Sequence, residues 1–297
     1  MKIDNQLGIH IHSNHRKKLG ASIMKKMVNV CLILGMIFTL VSCKNTNKAA
    51  KNFWIENYFQ QDCVITPQPG ESVIKARVDG EWKEFNLVEF PEKFMEWDVQ
   101  KRIGTLDRFL QMKPPELAGP HNGIVATYGC KRGDSQFKLN NAVKGMGFLP
   151  KAEKLPELIK LMEDTSDSSF VKKLEILRNF YTNIDSLFDK DRQVSLELYS
   201  TPEFETQTFL NQMTDPSSTI VFLDIPSYKL KTIARLLHPD DPDLTEYERL
   251  VVRYINDVHS YFHGKFPRDY PAVIYYVSEI YDNSPGRSDA MGRRIVP

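Results

Sequence analysis

Apolar positions along this chain recur at two spacings, one of two residues and one of three to four, and turn residues separate the two kinds of run. From Glu71 to Phe90 the pattern is that of a hairpin: Val73, Lys75 and Arg77 alternate with Ile74, Ala76 and Val78, Asp79-Gly80 supplies the turn, and Trp82 to Val88 resumes. After Pro91, the run through Phe94, Trp97, Ile103 and Leu110 keeps no clean period and predicts irregular or short helical packing. Pro114-Pro115 and Gly119-Pro120 then break the chain before a short strand over Gly123 to Gly129.

The second half is more regular. Pro156 starts a short helix, and Asp167 to Phe188 carries Phe170, Leu174, Leu177, Tyr181 and Ile184 on one helical face. Val194 to Tyr199 alternates as a strand, and Thr201 opens a helix through about Met213. Thr219 to Ile225 is apolar on both faces, as in a buried strand, and Ser227 caps a helix over Tyr228 to Leu237. Asp243 with Glu246 makes an acidic capping box for a helix ending at His263 before Gly264, and Ala272 to Ile280 is a second strand apolar on both faces.

This order predicts an α+β chain: a β-rich part over 53–152, then an α/β-like part over 153–297 whose mixed, partly parallel sheet is flanked by helices and followed by a loose tail. No repeat of 20 to 50 residues is visible.

Before these elements stands MKKMVNVCLILGMIFTLVSC, Met24 to Cys43. Lys25 and Lys26 precede an apolar run, Val28 to Leu40, that suits an export signal and falls short of the ~20 residues of a spanning helix. Its end, Leu40-Val41-Ser42-Cys43, resembles the lipobox of bacterial lipoproteins. That resemblance implies cleavage after Ser42, a lipid on Cys43, and a body tethered to the membrane through residues 43–52. Lys44 in place of an aspartate implies, by the same resemblance, the outer membrane with the body facing the periplasm. Met24 reads as the initiator, and His10, His12 and His15 as discarded material rather than a metal cluster.

Cleavage alters the charge. The 297 residues carry 39 Lys+Arg against 38 Asp+Glu; removing Lys2, Arg16, Lys17, Lys18, Lys25, Lys26 and Asp4 leaves 33 against 37, a net of −4. A mildly acidic body without a basic block argues against nucleic acid as a partner. Of four cysteines, Cys31 leaves with the signal and Cys43 takes the lipid, so Cys63 and Cys130 remain as a possible disulfide or as two thiols.

Candidate chemistry is sparse. Asp224 and Glu279 end the two apolar strands, where open α/β sheets place ligands, and are the candidate acid and base of a hydrolase. His259 and His263, four apart on one helix, can both reach one metal, although no third ligand is placed by the sequence. Asp240, Asp241 and Asp243 offer oxygens to a hard cation without the alternation of a calcium loop. No GxSxG, HExxH, GxxxxGK[ST] or GxGxxG occurs, and no cofactor is implied. Tyr254, Tyr261, Tyr270, Tyr275, Tyr276 and Tyr281 supply aromatic surface for core or for a partner. The expectation is a lipid-anchored binding or assembly component for another envelope protein; the alternative is an envelope hydrolase.

Overall fold

A computed structural model of the chain describes residues 52–286, 288 and 291–296. The export segment, Cys43 and the three N-terminal histidines lie outside the described residues. The class is α+β. Short strands β1 (Trp54–Ile55) and β2 (Tyr58–Phe59) pair with each other, and β3 (Val64–Ile65), β4 (Val73–Val78) and β5 (Glu81–Asn86) form a three-stranded sheet. The β4–β5 turn sits at Asp79-Gly80 as expected; both residues have positive φ (54° and 82°), the conformation a two-residue hairpin turn requires.

The large sheet is built from β6 (Asn122–Thr127), β7 (Asn140–Gly145), β8 (Arg192–Leu196), β9 (Ser217–Phe222), β10 (Tyr228–Leu237), β11 (Ala272–Asp282) and β12 (Arg293–Arg294). Its strands pair antiparallel throughout, so the expected parallel pairing is not found. Tight connections such as that between β9 and β10 leave no room for a crossover, and only a crossover can bring consecutive strands parallel. β6 and β7, from before residue 152, share this sheet with strands from after it, so the two halves of the chain build one core.

The sheet closes on itself. Gly147 and Val194 exchange both backbone hydrogen bonds, at 2.9 and 2.8 Å, joining the end of β7 to β8 and completing a six-stranded ring β6-β7-β8-β11-β10-β9. Side-chain alternation follows. Val125, Ile220, Leu230 and Ile280 stand side by side across four strands with no exposure, while the next row, Ala126, Thr219, Lys231 and Glu279, faces outward. Burying each such Leu or Ile contributes about 1.5–3 kcal/mol.

Helix α1 (Glu92–Leu110) covers one end of the ring, with Phe94 against Phe222 and Tyr228 at ring separations of 5.9 and 5.1 Å. The sequence pattern had predicted only short or irregular packing here. The buried stripe runs Phe94, Asp98, Arg102, Thr105 and Leu106, and its two charged members break the apolar period without breaking the helix.

The remaining helices divide between the outer side of the ring and its other end. Helices α2 (Leu155–Asp164), α3 (Phe170–Thr182) and the single turn α4 (Ile184–Leu187) follow. Helix α5 (Gln207–Thr214) covers the opposite end of the ring, where Asn211 donates to Thr127 Oγ1 at 3.0 Å. Helix α6 (Glu246–His263) packs on α2, β8 and β11. Its capping box uses Thr245 and Glu248, two residues beyond the pair read from the sequence, and Gly264 ends it with φ of 86°.

Two strand expectations also change. Residues 228–237 form a ten-residue strand, not a helix capped by Ser227, because ladders on both sides, to β9 and β11, satisfy its backbone. β9 is buried on one face only, and Leu223 and Ile225 beyond it are exposed.

Candidate functional site

Between α1, α6 and the glycine-bearing segment Gly145–Gly147 lies a cavity of about 240 Å³. Phe109, Met146, Val194, Val258 and Phe262 make it largely apolar, and three imidazoles, His121, His259 and His263, reach it. Helical spacing puts the last two on one side of α6. His121 comes from the loop leading into β6, held there because its carbonyl accepts from the Met146 amide at 2.8 Å.

His259 has a defined hydrogen-bonding role. Its Nδ1 lies 2.7 Å from the Ile255 carbonyl, an acceptor, so Nδ1 carries the proton and Nε2 of the neutral ring offers a lone pair. A methyl group built on Gly145 would lie 3.9 Å from that Nε2, in van der Waals contact, so a larger side chain at this position would crowd the nitrogen. Burial pushes the His259 pKa below its usual range; the Ile255 carbonyl opposes this and His263 adds to it.

His121 Nε2 is buried without a hydrogen-bond partner. Burial, reinforced by the nearby Arg102 cation, lowers its pKa to about 3, so at neutral pH the cavity presents two uncharged rings.

Arg102 lines the same cavity but is already engaged. Its Nε donates to Asp98 Oδ1 at 2.5 Å, Nη1 to the Met146 carbonyl at 3.0 Å and Nη2 to the Pro120 carbonyl at 3.2 Å, with the guanidinium over the rings of Phe148 and Tyr181. It fixes the walls of the site, and Asp98 balances its charge.

The other candidates are dispersed. Asp224, in the turn after β9, accepts from Trp97 Nε1 at 3.0 Å and Lys101 Nζ at 2.9 Å on α1. Burial raises its pKa, but the hydrogen bonds from Lys101, Trp97 and the Ile225 amide outweigh that and hold the carboxyl below its usual range. Glu279 accepts from Tyr281 Oη at 2.5 Å and lies 3.7 Å from Arg294. Glu279 stands level with Thr219, two strands away, and Asp224 lies five residues further along, roughly 16 Å at strand rise. The two carboxylates share no cleft.

His259 and His263 have no metal set around them: among the described residues no three His, Cys, Asp or Glu gather as a metal ion requires. Cys63 and Cys130 are free thiols, Cys63 buried beneath α5 and Cys130 half-buried in the loop after β6, so the possible disulfide is not formed. In the 240–243 loop, Asp241 and Asp243 both accept from the Gln60 side-chain amide, each at 2.8 Å, which ties the loop to the segment after β2.

Sequence reading found His259 and His263 through helical spacing but not His121 or Arg102. The one signal for Arg102 was its spacing of four from Asp98 and eight from Phe94 on a common helical face. His121 stands alone between Pro120 and Asn122, and only the fold brings it to α6.

The fold and site define an antiparallel ring with covering helices and a lateral, histidine-lined cavity. No family model matches the chain, and no curated protein does. A fold comparison finds a crystal structure described as a protein related to general stress protein 26 of B. subtilis (pyridoxinephosphate oxidase family) from Clostridium acetobutylicum. It is 10% identical, covers 67% of this chain and 95% of that one, and superposes with a TM-score of 0.28, too low to bear on this chain's function.

Proposed function

We propose that this chain is a lipid-anchored envelope protein that binds a small molecule in the cavity between α1, α6 and Gly145–Gly147. The observation that carries the reading is a half-open, mostly apolar cavity into which a few polar side chains converge, among them His259, whose Nε2 offers a lone pair. Binding fits this arrangement better than hydrolysis by Asp224 and Glu279, since each carboxylate is engaged with its own neighbours. The anchor rests on the lipobox resemblance at Cys43.

A second reading, contact with another envelope protein, is favoured by a separate surface. Tyr128, Phe137, Leu139 and Val143 are 55%, 73%, 64% and 68% exposed beside the outward row of the sheet, and exposed apolar groups gathered in this way suit a protein contact.

One preparation tests both parts of the first reading. Full-length protein extracted from membranes under native conditions should carry a small molecule detectable by mass spectrometry, and Gly145→Val, which sets a branched side chain against His259 Nε2, should lose it. Cys43→Ala should move the protein to the soluble fraction. Retention of the Cys43→Ala protein in membranes refutes the lipid anchor, and a Gly145→Val protein that keeps the molecule refutes the cavity.

A further inference from the structure

Resting on the cavity reading above, we propose that the ligand is a neutral, hydroxyl-bearing apolar molecule of about the size of a bicyclic arene. Size comes first. An apolar protein cavity of ~150 Å³ holds benzene, so the 240 Å³ here leaves room for a second fused ring. Phe109 and Phe262 are half-buried wall residues and suit an aromatic face.

Charge comes next. The cation at the wall, Arg102, is matched by Asp98 and occupied by two carbonyls. A carboxylate ligand would find Arg102 already matched by Asp98, with Glu116, itself in ion pairs with Lys101 and Arg108, at the cavity's edge. An ammonium ligand would meet Arg102 itself. The neutral rings of His121 and His259 supply no counter-charge to either.

The polar group follows from the His259 ring nitrogen. His259 Nε2 is an acceptor, because Nδ1 is committed to the Ile255 carbonyl. His121 Nε2 also has no partner but has almost no accessible surface, so it lies behind the cavity wall and not on it. A hydroxyl donates one hydrogen bond, which satisfies His259 Nε2; an ether, a ketone or a bare hydrocarbon leaves His259 unpaired.

The test titrates full-length protein in detergent with 2-naphthol, naphthalene and 2-naphthoate, subtracting the heat measured with Gly145→Val to remove partition into micelles. Naphthol should bind at least tenfold more tightly than naphthalene or naphthoate. His259→Phe, an apolar ring on the same helix face, should keep naphthalene binding and lose the tenfold preference. If naphthalene or naphthoate binds as tightly as naphthol, the ligand class is wrong while the cavity reading stands. If His259→Phe keeps the preference, the hydroxyl is recognised elsewhere and the inference falls. If wild type and Gly145→Val give the same heats with all three probes, the cavity does not bind arenes, and both readings fall.

Discussion

Asp98 and Arg102 stand one helical turn apart on α1 as a fully buried ion pair, and the same guanidinium holds the carbonyls of Pro120 and Met146 in place. One side chain thereby fixes the loop that carries His121 and the strand end that forms the cavity floor. A buried ion pair is not itself strong evidence of stability, since taking both charges out of water costs several kcal/mol per ion. Its consequence here is positional.

Replacing Arg102 with Met should destabilise the protein by about 3–5 kcal/mol, because burial already raises the Asp98 pKa and, without Arg102, the carboxyl must either stay ionised unpaired or take up a proton in the core. Adding Asp98→Leu should recover part of that loss. It should not recover all of it, since the Met146 and Pro120 carbonyls lose their donors whichever residue stands at 98. Urea unfolding of the two variants decides the matter: a double variant as stable as wild type would show that the carbonyl contacts contribute nothing.

The same pair explains what sequence reading could and could not reach. The β4–β5 hairpin, β11 and the body of α6 were legible because pattern and turn chemistry agree there, although the N-cap of α6 lies two residues beyond the expected one. α1 was obscured because charged residues occupy core positions, which no hydrophobic period detects. In Tyr228–Leu237, the alternation of Lys229 and Lys231 with Leu230 and Thr232 was the strand signal; the serine before it was read as a cap, and pairing on both edges settled the outcome. Ring closure at Gly147 and Val194 depends on a non-local register that local pattern does not encode. The cavity inherits that limit: His259 was visible by spacing, while His121 joins it only once the ring has closed and α6 has packed.

Thiol chemistry separates the two cysteines of the body. Burial, with Asp62 beside it, lifts the Cys63 pKa to about 11, against smaller opposing effects of Arg77 and Arg235, so little thiolate forms at neutral pH. Cys130 is half-buried in a surface loop. Processed protein extracted from membranes, without Cys31 and with Cys43 carrying the lipid, should therefore take up one maleimide per chain, at Cys130, and a second only on unfolding. No labelling before reduction, and two labels after it, would mean that the two cysteines are paired.

Acid should act on the cavity through His121. Its folded pKa is lowered to about 3 against about 6.5 for an ordinary histidine, so between those values the unfolded chain binds more protons. The stabilisation from a neutral His121 is complete above pH 6.5 and is lost as pH falls through that window. His259, lowered by burial in the same sense, adds to the loss. Asp257 opposes it: burial, with Glu163 nearby, raises its carboxyl to about 6, so its contribution is complete below the ordinary carboxylate range and is lost as pH rises through 6. A difference measurement isolates the histidine. Relative to wild type, His121→Phe should gain roughly 2 kcal/mol on going from pH 7 to pH 4, allowing for partial solvent access to the ring. Melting curves of the two proteins across that range should diverge on the acid side, and curves that stay parallel would show that His121 is protonated at the same pH in the folded and unfolded chains.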